Sequence, residues 1–364
     1  MLTSARSWLG RNRLVVGLAI FAAVFFCYSY ASNPNRPGAY PDQRVSWNYW
    51  FDQGEYLKEA RAIRAGNLDR SQYTYPMGYP AIGAVFVGAM HRNPFFIFDL
   101  TAFVFVILLY YLIAREFFGP NTAFISSSAL ILATPLVYYT VVPWTTTATL
   151  PAVVYLMYLG FVKARLRYLD AVALALLLVL AYMARGGGEI LLLVPFGLAV
   201  VQKFWSEDAK WVKFALVVGI FALGIIISGL WTKAIFGTLT HPYIKAVAAI
   251  GFNVRRIPSS FWGTIVFSGR AGGYWQSLLG GAFWFVVAPV GMLLALRKPA
   301  QRWLNLGLIL SLVLGFAVTT SFNNYDASTL KYNSLHYLKI WFPALALYST
   351  SAVTAFLKSA KPKP

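Results

Sequence analysis

Long apolar runs alternate with short polar ones along most of the chain. Runs at 14–31, 95–114, 121–139, 148–162, 169–184, 190–201, 211–231, 278–296, 303–320 and 337–357 read as membrane-spanning helices. That is about ten spans, several of them shorter than the ~20 residues a crossing usually takes. A further apolar stretch at 79–90 is too short for a crossing and reads as peripheral or re-entrant. The pattern predicts an all-α polytopic membrane protein. The whole chain, 1–364, is expected to form one transmembrane domain with no separate soluble domain.

Two long polar passages, 32–94 and 232–277, interrupt the apolar pattern. The first opens with SNPNRPGAYPDQ, whose three prolines make it an extended lead-in. Asp52 then starts a helical pattern in which Tyr56, Leu57, Ala60 and Ile63 share a face, while Lys58, Glu59, Arg61 and Arg64 project elsewhere. Gly66 closes it. Asp52 with Glu55 matches a D-x-x-E start signal, the aspartate accepting from first-turn amides and the glutamate reaching back. This amphipathic helix is expected on a membrane surface, apolar side down. Next comes YTYPMGYP at 73–80, where Pro76 and Pro80 around Gly78 force a rigid turn and the tyrosines suit an interface. The second passage predicts another interfacial helix near 242–252.

Composition removes the soluble alternatives. Hydrophobic residues make up 59% of the chain and charged residues only 12%, against about 25% in soluble domains. The formal net charge is +19. Lysine and arginine recur on one side of the predicted spans: Arg6, Arg11 and Arg13; Arg115; Lys163, Arg165 and Arg167; Lys203, Lys210 and Lys213; Arg297, Lys298 and Arg302; Lys358, Lys361 and Lys363. By the positive-inside rule that side is cytoplasmic, with both termini inside. Counting 79–90 as a crossing would put every later cluster outside. The two long outer loops are basic as well, with Arg255, Arg256 and Arg270 among their charges. Either long loops escape the rule, or an outward cavity binds an anion such as a phosphate.

Other candidate chemistry is sparse. Cys27 is the single cysteine, so no internal disulfide forms. His91, His241 and His336 are scattered without metal-ligand spacing, and a lone histidine is more often a polar surface residue. The short outer loop TVVPWTTT, 140–147, contains no acid. The run Arg185–Glu189, RGGGE, is expected to break a helix at three glycines and leave amides free beside an arginine as an anion cradle, although close helix packing through small residues explains glycine in membranes about as often. Lys339, in the first turn of the last span, either snorkels to the headgroups, which base rates favour, or faces a cavity. No nucleotide-binding loop is present, and no nucleic-acid partner is expected.

The first outer loop resembles the GT-C superfamily of polytopic glycosyltransferases, which includes the protein O-mannosyltransferases and the lipid A aminoarabinose transferases. The matching residues are Asp52, Tyr56, Leu57, Ala60, Gly66, Tyr75, Pro76, Gly78, Tyr79 and Pro80. IAREFFGPNTA at 113–123 and LHYLKIWFPALAL at 335–347 resemble two further family segments. The resemblance implies an inverting transfer of a sugar from a polyprenyl-phosphate carrier to an acceptor, in a bacterial inner membrane, with the active site facing the periplasm or exterior. It makes Asp52 the general base. Arg270, Lys339, Arg255, Arg256 and Arg185 are candidates for the donor phosphate. Glu55, Tyr56, Tyr75, Tyr79, Glu189, His336 and Tyr337 are candidates for the acceptor or sugar pocket. Many relatives carry a second acid where TVVPWTTT has none, and Glu189 or Glu55 is the available substitute. Larger relatives add a soluble outer domain; without one, lipid or glycan acceptors are favoured over protein ones. The polyprenyl-phosphate-linked sugar is the donor substrate, no cofactor is required and no divalent metal is expected. A transporter or flippase of lipid-linked sugars is the alternative reading, since its cavity would also be basic and outward-facing. Capping alone also accounts for an aspartate at a helix start, at about 1 kcal/mol.

Overall fold

The computed structural model describes residues 2–38, 47, 51–250, 283–322 and 336–360. Among the described residues the regular structure is entirely helical. In chain order the helices are α1 (Leu2–Ala31), α2 (Phe51–Arg64), α3 (Gly78–Phe86), α4 (Phe96–Phe118), α5 (Pro120–Leu132), α6 (Thr134–Val141), α7 (Thr146–Phe161), α8 (Tyr168–Arg185), α9 (Gly188–Leu192), α10 (Val194–Phe204), α11 (Lys210–Phe236), α12 (Pro242–Ile250), α13 (Phe283–Leu296), α14 (Arg302–Phe322) and α15 (Phe342–Ser359). A single 3-10 turn, Lys339–Trp341, leads into α15.

By length and composition six helical segments can cross a bilayer, at 12–31, 96–118, 168–185, 210–236, 299–318 and 336–359. Three shorter apolar helices, α7, α10 and α13, accompany them. The predicted third span is not one helix. It stops at Leu132, Ala133 takes an extended backbone, and α6 restarts with Pro135 in its first turn, where a missing N–H costs nothing. The sixth predicted span is likewise divided into α9 and α10, with Pro195 in the first turn of the second.

Helices that are apolar all round must be either lipid-facing or central, and both kinds occur. α7 is buried along nearly its whole length and packs against α4 and α8 at the centre. α11 packs mainly on α8 and exposes Val212, Val218, Leu223, Ile226 and Leu230. Two glycines shape the end of the bundle where the long polar passages lie. A Cβ at Gly78 would lie 2.5 Å from the Met183 backbone, so glycine there lets α3 press onto α8. At the end of α8, Gly186 takes a φ of +75°, which turns the chain into α9 as the RGGG run predicts.

The surface-helix expectation needs correcting. The apolar face of α2 packs against protein, chiefly α3, with Tyr56, Leu57 and Ala60 all buried. α3 itself covers most of the 79–90 stretch, a nine-residue helix far short of a bilayer crossing. Nor does the D-x-x-E box form. Asp52 lies inside the first turn, one residue past the helix start at Phe51, and Glu55 bonds Lys58 and Thr74 instead of reaching back.

Candidate active site

α2 and the turn that follows α2 bring the first group of site residues together. The Tyr75 hydroxyl donates to Asp52 Oδ1 at 2.6 Å. Beside it, Thr74 donates to Glu55 Oε2 at 2.6 Å, and Lys58 pairs with the same oxygen at 2.6 Å. Burial raises the Asp52 carboxyl above its ordinary value; Tyr75 and Arg185 act against the shift, and Glu55 adds to it. Burial alone would raise Glu55 too, but Lys58 and Thr74 leave it below the usual range. The two carboxylates therefore differ in kind: Glu55 is neutralised by its lysine, whereas Asp52 rests on a neutral phenol.

Tyr56 and Tyr79 are placed differently. Tyr56 meets Tyr75 and Tyr79 edge-on, with centroids 4.8 and 5.5 Å away, and Tyr79 stacks on Phe95 at 4.6 Å. Both are fully enclosed in this aromatic cluster. Tyr79 donates to both oxygens of Asp99, at 2.8 Å each. Asp99 is a buried acid in the first turn of α4 and went unrecognised in the sequence, although an acid inside an apolar span is a functional signal by default.

The acid-free loop meets the second group. Arg185 Nη1 donates to Thr145 at 3.0 Å, Lys339 Nζ to Thr147 at 2.7 Å, and Thr149 to Glu189 Oε2 at 2.9 Å. Threonines at alternate positions thus receive the two cations and the acid of the surrounding helices. Arg185 Nε also pairs with Glu189 Oε1 at 2.7 Å, and its guanidinium lies 4.8 Å from the Tyr337 ring centroid. His336 is buried and stacks on Trp144 at 3.8 Å. Gln53, the residue after Asp52 on α2, donates to the Pro143 carbonyl at 2.6 Å and ties α2 to the same loop.

Lys339 corrects a base-rate expectation. It does not snorkel: the side chain is fully buried, and its ammonium also donates to the Tyr139 carbonyl at 2.6 Å, in the last turn of α6. His241, expected as a polar surface residue, is also buried; its Nδ1 accepts from the Tyr243 amide at 3.1 Å and caps α12. Burial lowers His241 to about 4, so the ring is neutral near physiological pH. α12 then carries Tyr243 to within 5.0 Å of the Tyr75 ring.

Of the thirteen sequence-predicted site residues, Asp52, Glu55, Tyr56, Tyr75, Tyr79, Arg185, Glu189, His336, Tyr337 and Lys339 converge at one end of the bundle. Arg255, Arg256 and Arg270 lie outside the described residues. Among the described residues no three metal-ligating side chains gather. Of the predicted site carboxylates, Asp52 alone bonds no cation among the described residues, while Arg185 and Lys339 are tied to the neighbouring loop through Thr145 and Thr147.

This is the fold of the GT-C polytopic glycosyltransferases, as solved structures of other proteins show. The chain is similar to ArnT from Cupriavidus metallidurans bound to undecaprenyl phosphate, with a TM-score of 0.64 and 14% identity over 95% of this chain and 60% of that one. For ArnT in the apo state the TM-score is 0.62 at 14% identity, over 96% and 60% of the two chains. The archaeal oligosaccharyltransferase AglB from Archaeoglobus fulgidus, in complex with an inhibitory peptide and a dolichol-phosphate, gives 0.57 at 12% identity, over 98% and 53%. The chain therefore spans a little over half the length of these proteins. No family model matches the sequence, and no curated protein does.

Proposed function

We propose that the chain is an integral-membrane glycosyltransferase that moves a sugar from a polyprenyl-phosphate carrier to a lipid or glycan acceptor on the outer, periplasmic face of an inner membrane. The observation that carries this reading is Asp52, a buried carboxylate whose only hydrogen-bond partner among the described residues is the Tyr75 hydroxyl. A carboxylate with a raised proton affinity is a better base than an exposed one, provided it is still ionised at the working pH. Asp52 takes the proton of the acceptor hydroxyl while the acceptor oxygen bonds to the anomeric carbon. The bond from that carbon to the phosphate oxygen breaks on the opposite face, and the electron pair leaves with the carrier phosphate. One displacement inverts the anomeric centre. Charge grows on the leaving phosphate, so cations near it stabilise the transition state. Arg185 and Lys339 supply them, Arg185 through paired donors and Lys339 as a point charge. Glu189, bonded to Thr149 and Arg185, serves as the second acid that the 140–147 loop lacks. The likeness to ArnT bound to undecaprenyl phosphate and AglB bound to a dolichol-phosphate supports a lipid-phosphate carrier.

Incubating the purified protein with a radiolabelled polyprenyl-phosphate sugar and a membrane-lipid extract tests this. Free carrier phosphate together with a labelled glycolipid is the expected result. Saturable binding of the donor without release of carrier phosphate would instead indicate a transporter.

A further inference from the structure

Glu59 has no part in the chemistry described so far, yet it is the most enclosed acid on α2. It was expected to project away from the apolar face; instead it is fully buried. Its Oε1 accepts the backbone N–H groups of both Thr74 and Tyr75, each at 2.7 Å. Its Oε2 meets no hydrogen-bond donor among the described residues. Burial raises Glu59 to about 8, more than the two amides lower it. A carboxyl group placed there is costly. What it accomplishes is local: two consecutive amides of the tyrosine–proline turn are fixed to a helix that also carries Asp52, seven residues earlier.

Tyr75 is constrained from other sides as well. Its ring lies between Tyr56 of α2, at 4.8 Å, and Tyr243 of α12, at 5.0 Å. α12 is itself started by the His241 cap on the Tyr243 amide. With the backbone fixed by Glu59 and the ring fixed by two tyrosines, the hydroxyl has one place to go, Asp52 Oδ1. The other carboxylate oxygen then remains available to an incoming hydroxyl.

We infer that Tyr75 orients Asp52, and that Glu59 is a positioning residue acting through the Thr74 and Tyr75 amides. The inference rests on the transferase reading only for the identity of the reaction. Asp52 is faced by Glu55 and Tyr56 on its own helix, Tyr75 on the turn, Arg185 on α8 and Tyr243 on α12. Of these, Tyr75 is the one that bonds it directly. A hydrogen bond donated to a carboxylate favours the ionised form. Removing it makes Asp52 harder to ionise, so a base-catalysed rate needs a higher pH.

The test is the pH profile of carrier-phosphate release by wild type, Tyr75→Phe, Glu59→Gln and Glu59→Ala. Tyr75→Phe should move the acid limb up by about one pH unit, the size expected for one bond to a charged group. Glu59→Ala should move the limb in the same direction. Glu59→Gln keeps an oxygen that accepts both amides and should leave the limb where wild type has it. Limbs unmoved in both Tyr75→Phe and Glu59→Ala, however slow the variants, would overturn the inference. If wild type releases no carrier phosphate, the transferase reading fails by itself. The Asp52 carboxyl band, assigned by its loss in Asp52→Asn, is then titrated by infrared spectroscopy without substrate. The same upward shift in Tyr75→Phe sustains the inference, and an unchanged midpoint overturns it. Tyr75→Phe keeps the ring packing, so a folding failure in Glu59→Ala does not remove the test.

Discussion

The two ends of the helical bundle treat buried charge in different ways. At the end with α8's start, the carboxylates that are not exposed meet lysines: Asp170 pairs with Lys163 at 3.1 Å and Glu207 with Lys213 at 2.7 Å. These acids also close local structure. Asp170 accepts the Arg167 amide at 3.1 Å and Glu207 the Leu166 amide at 2.9 Å, while Lys203 donates at 2.7 Å to the Gly160 carbonyl in the last turn of α7. At the opposite end Asp52 and Asp99 rest on tyrosine hydroxyls, and Glu59 rests on backbone amides. Lys339 bonds a carbonyl and a threonine. The second end also holds two ion pairs, Glu55–Lys58 and Arg185–Glu189, but it leaves Asp52, Asp99 and Lys339 on neutral partners, charge that a ligand can complete. Structural polar groups are paired when buried, so charge held only by neutral partners marks a site.

The sharpest way to break this contrast is Arg185→Gln. It removes a phosphate candidate and leaves Glu189 with Thr149 alone. Losing one partner of a buried pair costs about 3–5 kcal/mol, so turnover should vanish and thermal stability in detergent should fall steeply. A well-folded, active Arg185→Gln protein would remove Arg185 from the site. An intermediate effect is expected from Glu59. Its folded value of about 8 lies above the ordinary 4.5, so across that window the native state holds more protons than the unfolded one. Stability from this group is therefore complete below 4.5 and declines as pH rises to 8, by up to about 1.4 kcal/mol per pH unit. Melting curves of wild type and Glu59→Gln should diverge over that range, the variant being flatter; parallel curves would show that Glu59 is ionised throughout. The smallest effect belongs to the other end. Lys163→Met leaves Asp170 with the Tyr155 hydroxyl and the Arg167 amide, and should cost about 1 kcal/mol or less without altering turnover.

Much of the Asp52 end could be read from the chain because its signals are local. Asp52, Tyr75 and the turn at Pro76 lie within one short segment, and the RGGG break follows from glycine alone. The burial of Glu59 is hidden in the sequence because a charge on an amphipathic helix reads as exposed. Yet Asp52, Glu55 and Glu59 stand at helical spacing on one stripe, which a stricter face assignment would have caught. Lysines near membrane ends usually snorkel, but the partners of Lys339, Tyr139 and Thr147, are about two hundred residues away in sequence and cannot be inferred from neighbours. The division of the third predicted span at Ala133 is hidden because Pro135 lies within an apolar run, where hydropathy conceals a backbone break.

Asp52→Asn gives the most direct measurement. Asparagine keeps the side-chain size and an oxygen for Tyr75 but cannot take a proton as an anionic base. With a polyprenyl-phosphate sugar as donor, the folded variant should release carrier phosphate roughly 10²–10⁴-fold more slowly than wild type while binding the donor as well. Release by Asp52→Asn at the wild-type rate would contradict the assignment of Asp52 as the base.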